Sequence, residues 1–265
     1  MSQFFDEPDE DLYAEGGRRT KDEAVFRHLY AAIVGQHLEP GIKLPEDTLA
    51  EAYGVSRTSI RKALQKLAHK GLVDVRVNHG ASVAQPTLKD ARDLFASRRI
   101  LECGVIELVA GRATPEQLLQ LEELVDQETE ATGQGDWRQA IYLSGQFHLA
   151  LARLADNEII SGYLADLVAR TSLVIATFGS PQFHCGCPPS RHIHIEVLSL
   201  LRRGEASAAR EWMDAHLKAV EHSVVQEKHS DTSFDLKAIL SQVDPDGYRS
   251  LTQKEPLAAD KKRRK

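Results

Sequence analysis

Residues 44–70 read LPEDTLAEAYGVSRTSIRKALQKLAHK, and residues 71–83 continue GLVDVRVNHGASV. Residues 44–53 have helical spacing, and Gly54 follows them as a helix-terminating glycine. Ser56 is placed to cap another helix, whose buried stripe is Ile60, Ala63, Leu64 and Leu67. Gly71 stops that helix. Val73, Val75 and Val77 then alternate with Asp74 and Arg76, the period of a half-exposed strand. Asn78, His79 and Gly80 form a turn signal, and Ala81-Ser82-Val83 returns as a second strand. Two short helices, a tight turn and a two-stranded wing suit insertion into a DNA major groove.

The flanks extend this unit. Thr20 is placed to cap a preceding helix with a stripe of Val25, Leu29, Ile33 and Leu38, which Glu39-Pro40-Gly41 ends. Residues 20–85 therefore read as one small domain of three helices and a wing. Residues 1–19 are acidic and without periodicity, the signature of a disordered segment. From residue 86 to 228 the pattern is all-helical. Helices are expected over 88–112, from Thr114 to Gly133, from Asp136 to Leu154, from Asn157 to Phe178, from Ser190 to Arg203 and over 206–228. Thr114, Pro115 and Gln117 make a capping box with proline at the first helical position. Short connections favour an antiparallel bundle. Residues 229–265 are polar and end on Lys261 to Lys265, a stretch of basic residues, and read as a flexible tail. The fold class is mainly α: an N-terminal winged helix-turn-helix joined to an all-α antiparallel bundle.

Composition sets the outer bounds. The 265 residues suffice for two domains, and 42% hydrophobic with 27% charged residues is ordinary for a globular chain. No apolar run approaches the roughly 18–20 residues that span a bilayer, so no membrane association is expected. The acidic N-terminus lacks the apolar core of a signal peptide. Three cysteines argue against a disulfide framework and for a reducing cytoplasm. The formal net charge of −6 is unevenly spread: residues 55–76 hold six Lys or Arg and a single acid, a local +5. Such a patch on an acidic chain is a footprint for phosphate.

Within that patch Arg57 and Arg61 are spaced i, i+4 and share a helix face. Thr58 and Ser59 lie beside them in the first turn, whose backbone amides favour phosphate. Arginine can contact guanine with two parallel hydrogen bonds, worth about 1–3 kcal/mol in discrimination. Lys62 and Lys66 form a second line suited to backbone phosphates. The competing reading is a solvated amphipathic helix. The wing, the corner glycines and the local charge weigh against it.

Three histidines stand out in the second half. His148 follows Phe147 on the third bundle helix, His194 lies on the fifth and His216 on the sixth. Bundle helices can converge such side chains inward, and imidazole suits zinc, nickel, iron or copper. The competing reading is a set of unrelated histidines, since the chain has 11. A second cluster, His184-Cys185-Gly186-Cys187 with His192, could ligate metal or report oxidation. Its Cys-x-Cys spacing is unlike common zinc sites, and a turn-rich loop over a pocket is the alternative.

The N-terminal unit resembles the winged helix-turn-helix of the GntR family of bacterial transcription regulators. The matching residues are Leu44, Glu46, Leu49-Ala50, Gly54-Val55-Ser56-Arg57-Thr58, Ile60-Arg61, Ala63-Leu64, Leu67, Gly71-Leu72, Gly80 and Val83. The resemblance implies base contacts by Arg57 and Arg61, and entry of the wing tip, His79 and Gly80, into the minor groove. A departure is Ser59-Ile60-Arg61-Lys62, where the family often has Pro-Val-Arg-Glu; the lysine should raise phosphate affinity. The bundle resembles the FCD domain of the family's FadR-type branch. That likeness rests on Arg98 with Leu101-Glu102, Phe147-His148, Asp156-Asn157, His194 ahead of Gly204-Glu205, and Met213-Asp214-Ala215-His216-Leu217. It implies a divalent metal, zinc, nickel or similar, held by His148, His194 and His216. The family's fourth ligand is an aspartate four residues before the first histidine, where this chain has Ser144. The alternative is a metal-free polar pocket. The resemblance further implies a small organic acid as effector, with Arg98 receiving its carboxylate; the plain alternative is an Arg98–Glu102 ion pair.

The expected activity is therefore that of a homodimeric transcription regulator, a repressor, that binds a palindromic double-stranded operator under effector control. A sensor of metal or thiol redox state through Cys185 and Cys187 is the alternative. A metalloenzyme is disfavoured, because no general base accompanies the histidines and the N-terminal unit would be left without a role.

Overall fold

The computed structural model describes residues 20–76, 79–179 and 190–225, together with Leu236, Leu240 and Val243. The expectations for residues 1–19, for Val77 and Asn78, for His184, Cys185 and Cys187, and for the basic C-terminus lie outside the described residues. Among those described are nine helices and one two-stranded sheet.

The head is built from α1 (Lys21–Val34), α2 (Glu46–Tyr53), α3 (Arg57–His69), β1 (Val73–Arg76) and β2 (Gly80–Val83). Its core takes in the expected stripes: Val25, Leu29, Ile33 and Leu38 from the first helix and turn, and Ile60, Ala63, Leu64 and Leu67 from α3. Gly54 adopts φ 63° at the corner between α2 and α3, a left-handed conformation that glycine reaches without a Cβ clash. Ser56 caps α3 by accepting the Ser59 N–H at 3.1 Å. The strands pair antiparallel with Val73 opposite Val83 and Arg76 opposite Gly80.

Two details differ from the sequence expectation. Helix α2 begins at Glu46, not Leu44. Pro45 occupies the N-cap, and Leu44 is drawn to the sheet, where its N–H donates to Ala81 O at 2.9 Å. Gly41 N–H likewise donates to Val83 O, and Val83 N–H to Ile42 O, so residues 41–44 line the free edge of β2. Second, the alternation in β1 fades: Val73 is buried, but Val75 is 54% exposed. Val75 faces outward, although Ala81 opposite it stays buried in the core of the head.

The bundle comprises α4 (Leu88–Val109), α5 (Pro115–Gly133), α6 (Trp137–Arg153), α7 (Glu158–Phe178), α8 (Ser190–Arg202) and α9 (Ala206–Val225). The principal packings are α5 with α6 and α8, α9 with α4 and α8, and α7 with α4 and α6. Side chains cap the starts of four helices: Thr87 with Asp90 and Thr114 with Gln117 form capping boxes, Asp136 accepts from Gln139 N–H, and Asn157 accepts from Ile160 N–H. Helix α4 stops at Val109, short of residue 112, as Gly111 takes φ 76°.

Helix α7 belongs to both units. Leu164, Val168 and Val174 lie in the bundle core, while Ala169 and Leu173 lie in the core of the head. Lys70 Nζ meets Asp166 Oδ1 at 2.6 Å, and Gln36 Nε2 donates to the Ser172 carbonyl at 3.2 Å along the same seam. Service to two cores explains its composition. An 18-residue window reaches a mean hydropathy of 1.5, long and apolar enough to cross a bilayer by length and composition. The sequence reading, which found no such run, is corrected on this point.

The Ser56 cap yields a first test. Ser56→Ala should destabilise the head by about 1 kcal/mol, and Ser56→Asp should restore most of the loss. The midpoint of urea unfolding followed by a probe in the head measures both.

Candidate functional site

The exposed face of α3 carries Arg57, Thr58, Arg61, Lys62 and Lys66, while Ser59 is half-buried, with its hydroxyl 3.0 Å from that of Ser56. His79 and Gly80 are exposed at the wing tip. The local +5 is offset by acids that the fold brings in from outside residues 55–76. Arg61 Nε donates to Glu46 Oε1 and Oε2 at 2.9 and 2.7 Å. Arg57 pairs with Asp47, and Lys66 with Glu23 and, at 3.6 Å, Asp22. These exposed pairs are worth roughly 0–1 kcal/mol each, so phosphate or base edges can displace them. They also hold both arginine side chains near the first turn of α2 while the face is free.

The three expected histidines converge. His148 on α6, His194 on α8 and His216 on α9 place one ligand atom each within 4.8 Å of one another. All three are buried, His194 completely. The rings of His148 and His216 are stacked with centroids 5.5 Å apart, and His194 meets both edge-on. Phe147 stacks on His194 at 4.1 Å. His192 stays outside this group; it is exposed and packs edge-on against Trp212. Ser144 lies one turn before His148 on the same helix and is half-buried.

Two buried carboxylates back the cluster. Glu102 Oε2 on α4 contacts His148 Nδ1 at 2.6 Å without meeting the angular requirement of a hydrogen bond, whereas Glu128 Oε2 on α5 engages His194 Nδ1 at 3.2 Å. Fixing Nδ1 in this way leaves the other ring nitrogen free to ligate, the usual arrangement behind metal-bound histidine. His194 Nε2 is buried without a hydrogen-bond partner among the described residues. Burial, reinforced by Arg98 and His194, pushes His148 down to about 4 against the pull of Glu102. Burial and the neighbouring histidines also push His216 well below its ordinary value. Both are thus neutral near pH 7, the state in which imidazole binds metal. The donor set fits a transition-metal ion.

Arg98 sits beside this pocket, 4% exposed. Its Nε donates to Glu102 Oε1 at 2.7 Å, so the ion pair weighed in the sequence is formed. Nη1 reaches Thr171 Oγ1 at 3.4 Å, and Nη2 is buried with no hydrogen-bond partner among the described residues. Burial pushes the Glu102 carboxyl up, but Arg98 and His148 outweigh it and hold it at about 2. Sequence reasoning missed Glu128. The available signal was an acid on an apolar stripe: Leu118, Leu121, Val125, Glu128 and Ala131 are the buried positions of α5.

A winged-helix head carrying a basic α3, docked on an all-helical bundle with a buried polar cluster, defines a DNA-binding regulator with a ligand-responsive domain. Residues 21–83 match the family of bacterial regulatory proteins named for gntR, and residues 93–219 match the FCD domain. The Uxu operon regulator of Haemophilus influenzae is 30% identical over 72% of this chain and 79% of its own length. The transcriptional repressor RspR of Escherichia coli is 27% identical over 79% of this chain and 92% of its own length. A transcriptional regulator GntR of Rhodococcus sp. RHA1, known from its crystal structure, superposes with a TM-score of 0.70 at 25% identity, covering 80% of this chain and all of that one. The chain belongs to the GntR family, and its bundle is an FCD domain.

The buried ion pair can be tested apart from any ligand. Arg98→Ala strands the Glu102 carboxylate and should cost about 3–5 kcal/mol of stability. Arg98→Met combined with Glu102→Gln should recover a large part of that loss. Equilibrium unfolding of the two variants against the parent chain measures the difference.

Proposed function

We propose that this regulator, of the FadR-type branch, is a repressor that binds a palindromic operator as a homodimer and is released or retained by a small organic acid. Residues 20–85 are the reading head, and residues 86–228 bind effector and dimerise. Arg57 and Arg61 read base edges, with Thr58 and Ser59 in the same turn; Lys62 and Lys66 hold phosphates; His79 and Gly80 enter the minor groove. The exposure of all these residues except half-buried Ser59 supports the reading. Repression is supported by the Escherichia coli relative, which is a transcriptional repressor.

In the bundle, His148, His194 and His216 hold a divalent metal such as zinc or nickel, which would polarise and anchor an effector carboxylate. Arg98 Nη2 receives that carboxylate, and Ser144 adds a hydroxyl where the family pattern has an aspartate. The single observation that carries this reading is the convergence of three buried imidazoles beside an unpartnered guanidinium nitrogen. The effector shifts a population of head placements, and 1–3 kcal/mol of coupling gives roughly 5–150-fold control.

Two outcomes test the reading. Arg57→Ala and Arg61→Ala should each lower operator affinity far more than affinity for random DNA, as read by gel shift at fixed salt. Equal losses on both would remove base readout from these arginines. Zinc should raise the melting temperature of the parent chain and leave that of His216→Ala unchanged, because a ligand of the native state alone stabilises it. Elemental analysis of the purified protein measures occupancy directly.

A further inference from the structure

The C-terminal stretch reads in sequence as a flexible tail, but three of its residues are packed in the head. Leu240 is fully buried and Val243 is 4% exposed. Both belong to the same apolar cluster as Val25, Leu29 and Tyr53, and half-buried Leu236 packs against that cluster. Leu236 and Leu240 are helical positions four apart, which share a face, and Val243 lies at a bend beyond them.

A polar contact accompanies the apolar one. His28 on α1 is 6% exposed. Its Nδ1 lies 2.7 Å from the Tyr53 hydroxyl on α2, and its Nε2 engages the carbonyl of Val243. A carbonyl can only accept, so Nε2 carries the proton; in neutral imidazole Nδ1 then accepts from the Tyr53 O–H. A buried relay therefore runs from α2 through α1 to the C-terminal stretch. Nothing in the family match accounts for it, since the matched residues end at 83 in the head and at 219 in the bundle.

We infer that Leu236, Leu240 and Val243 are a clasp: they seat in the apolar core to which α1 and α2 contribute and complete the DNA-binding head, with His28 as the latch. The head is then tied to the bundle by the chain between Val83 and Leu88, by the α7 seam and by this clasp. In the chain the clasp lies C-terminal to α9, the helix that bears His216. The head core is thus assembled from both ends of the chain.

The test uses the full chain. Leu240→Ala and Leu240→Asp should speed amide hydrogen exchange in α1 and α2 at least tenfold, the aspartate more than the alanine, with exchange in α5 and α6 unchanged. Limited trypsin cleavage at Lys237 should rise at least tenfold in both. Because aspartate can unfold the whole chain, Tyr53→Phe is the second variant: it keeps the apolar shape and removes only the hydroxyl of the relay, and it should speed cleavage at Lys237 severalfold. Unchanged exchange in α1 and α2 for Leu240→Ala, or unchanged cleavage at Lys237 across the three variants, would overturn the clasp.

Discussion

The bundle is organised around charge that has been taken out of water. Arg98, Glu102, His148, Glu128, His194 and His216 all lie in its interior, each less than 6% exposed. An ion buried without a partner costs several kcal/mol, so these groups constrain one another. Glu102 answers Arg98 on its own helix and touches His148 on α6; Glu128 answers His194 across from α8. Four of the six helices are thereby held in register by polar contacts, and α9 joins through His216. Leucines alone would fill this core with less geometric demand. The polar network fixes which side chains meet, and the same side chains form the pocket.

Such a network is partly open by construction. Arg98 Nη2, His194 Nε2 and Thr177 Oγ1 are buried with their hydrogen-bonding capacity unspent. In a purely structural core these atoms would be a net cost. Under the proposed function, Arg98 Nη2 and His194 Nε2 are the groups that would receive an anion or a metal.

Much of this was legible in the sequence because it is written locally. Helix caps at Ser56, Thr114, Asp136 and Asn157 depend on residues three apart, and the stripes of α1 and α3 on a single helical period. The histidines were legible as candidates, since they fall on three helices that a bundle brings together. What escaped was non-local. Glu128 drew no expectation, because its partner His194 lies on α8, 66 residues away. The edge pairing of residues 41–44 with β2 depends on where the chain returns after the wing. The charge on α3 was counted along the chain, whereas Glu46, Asp47, Asp22 and Glu23 reach it through space. The stretch around Leu240 reads as a polar tail, because its contacts are non-local: Val243 meets His28 across a sequence separation of 215.

The acids around α3 have a consequence for how binding responds to salt. A basic face usually gains affinity by releasing the ions condensed on DNA, with a slope set by the number of phosphates neutralised. Here Asp47, Glu46 and Glu23 already sit on Arg57, Arg61 and Lys66 as built-in counterions. Under the proposed interface, DNA would have to displace them, and three carboxylates freed beside a polyanion would themselves need screening. Part of the electrostatic gain would then be cancelled within the protein, and the salt dependence of binding would be shallower than the count of basic residues on α3 implies.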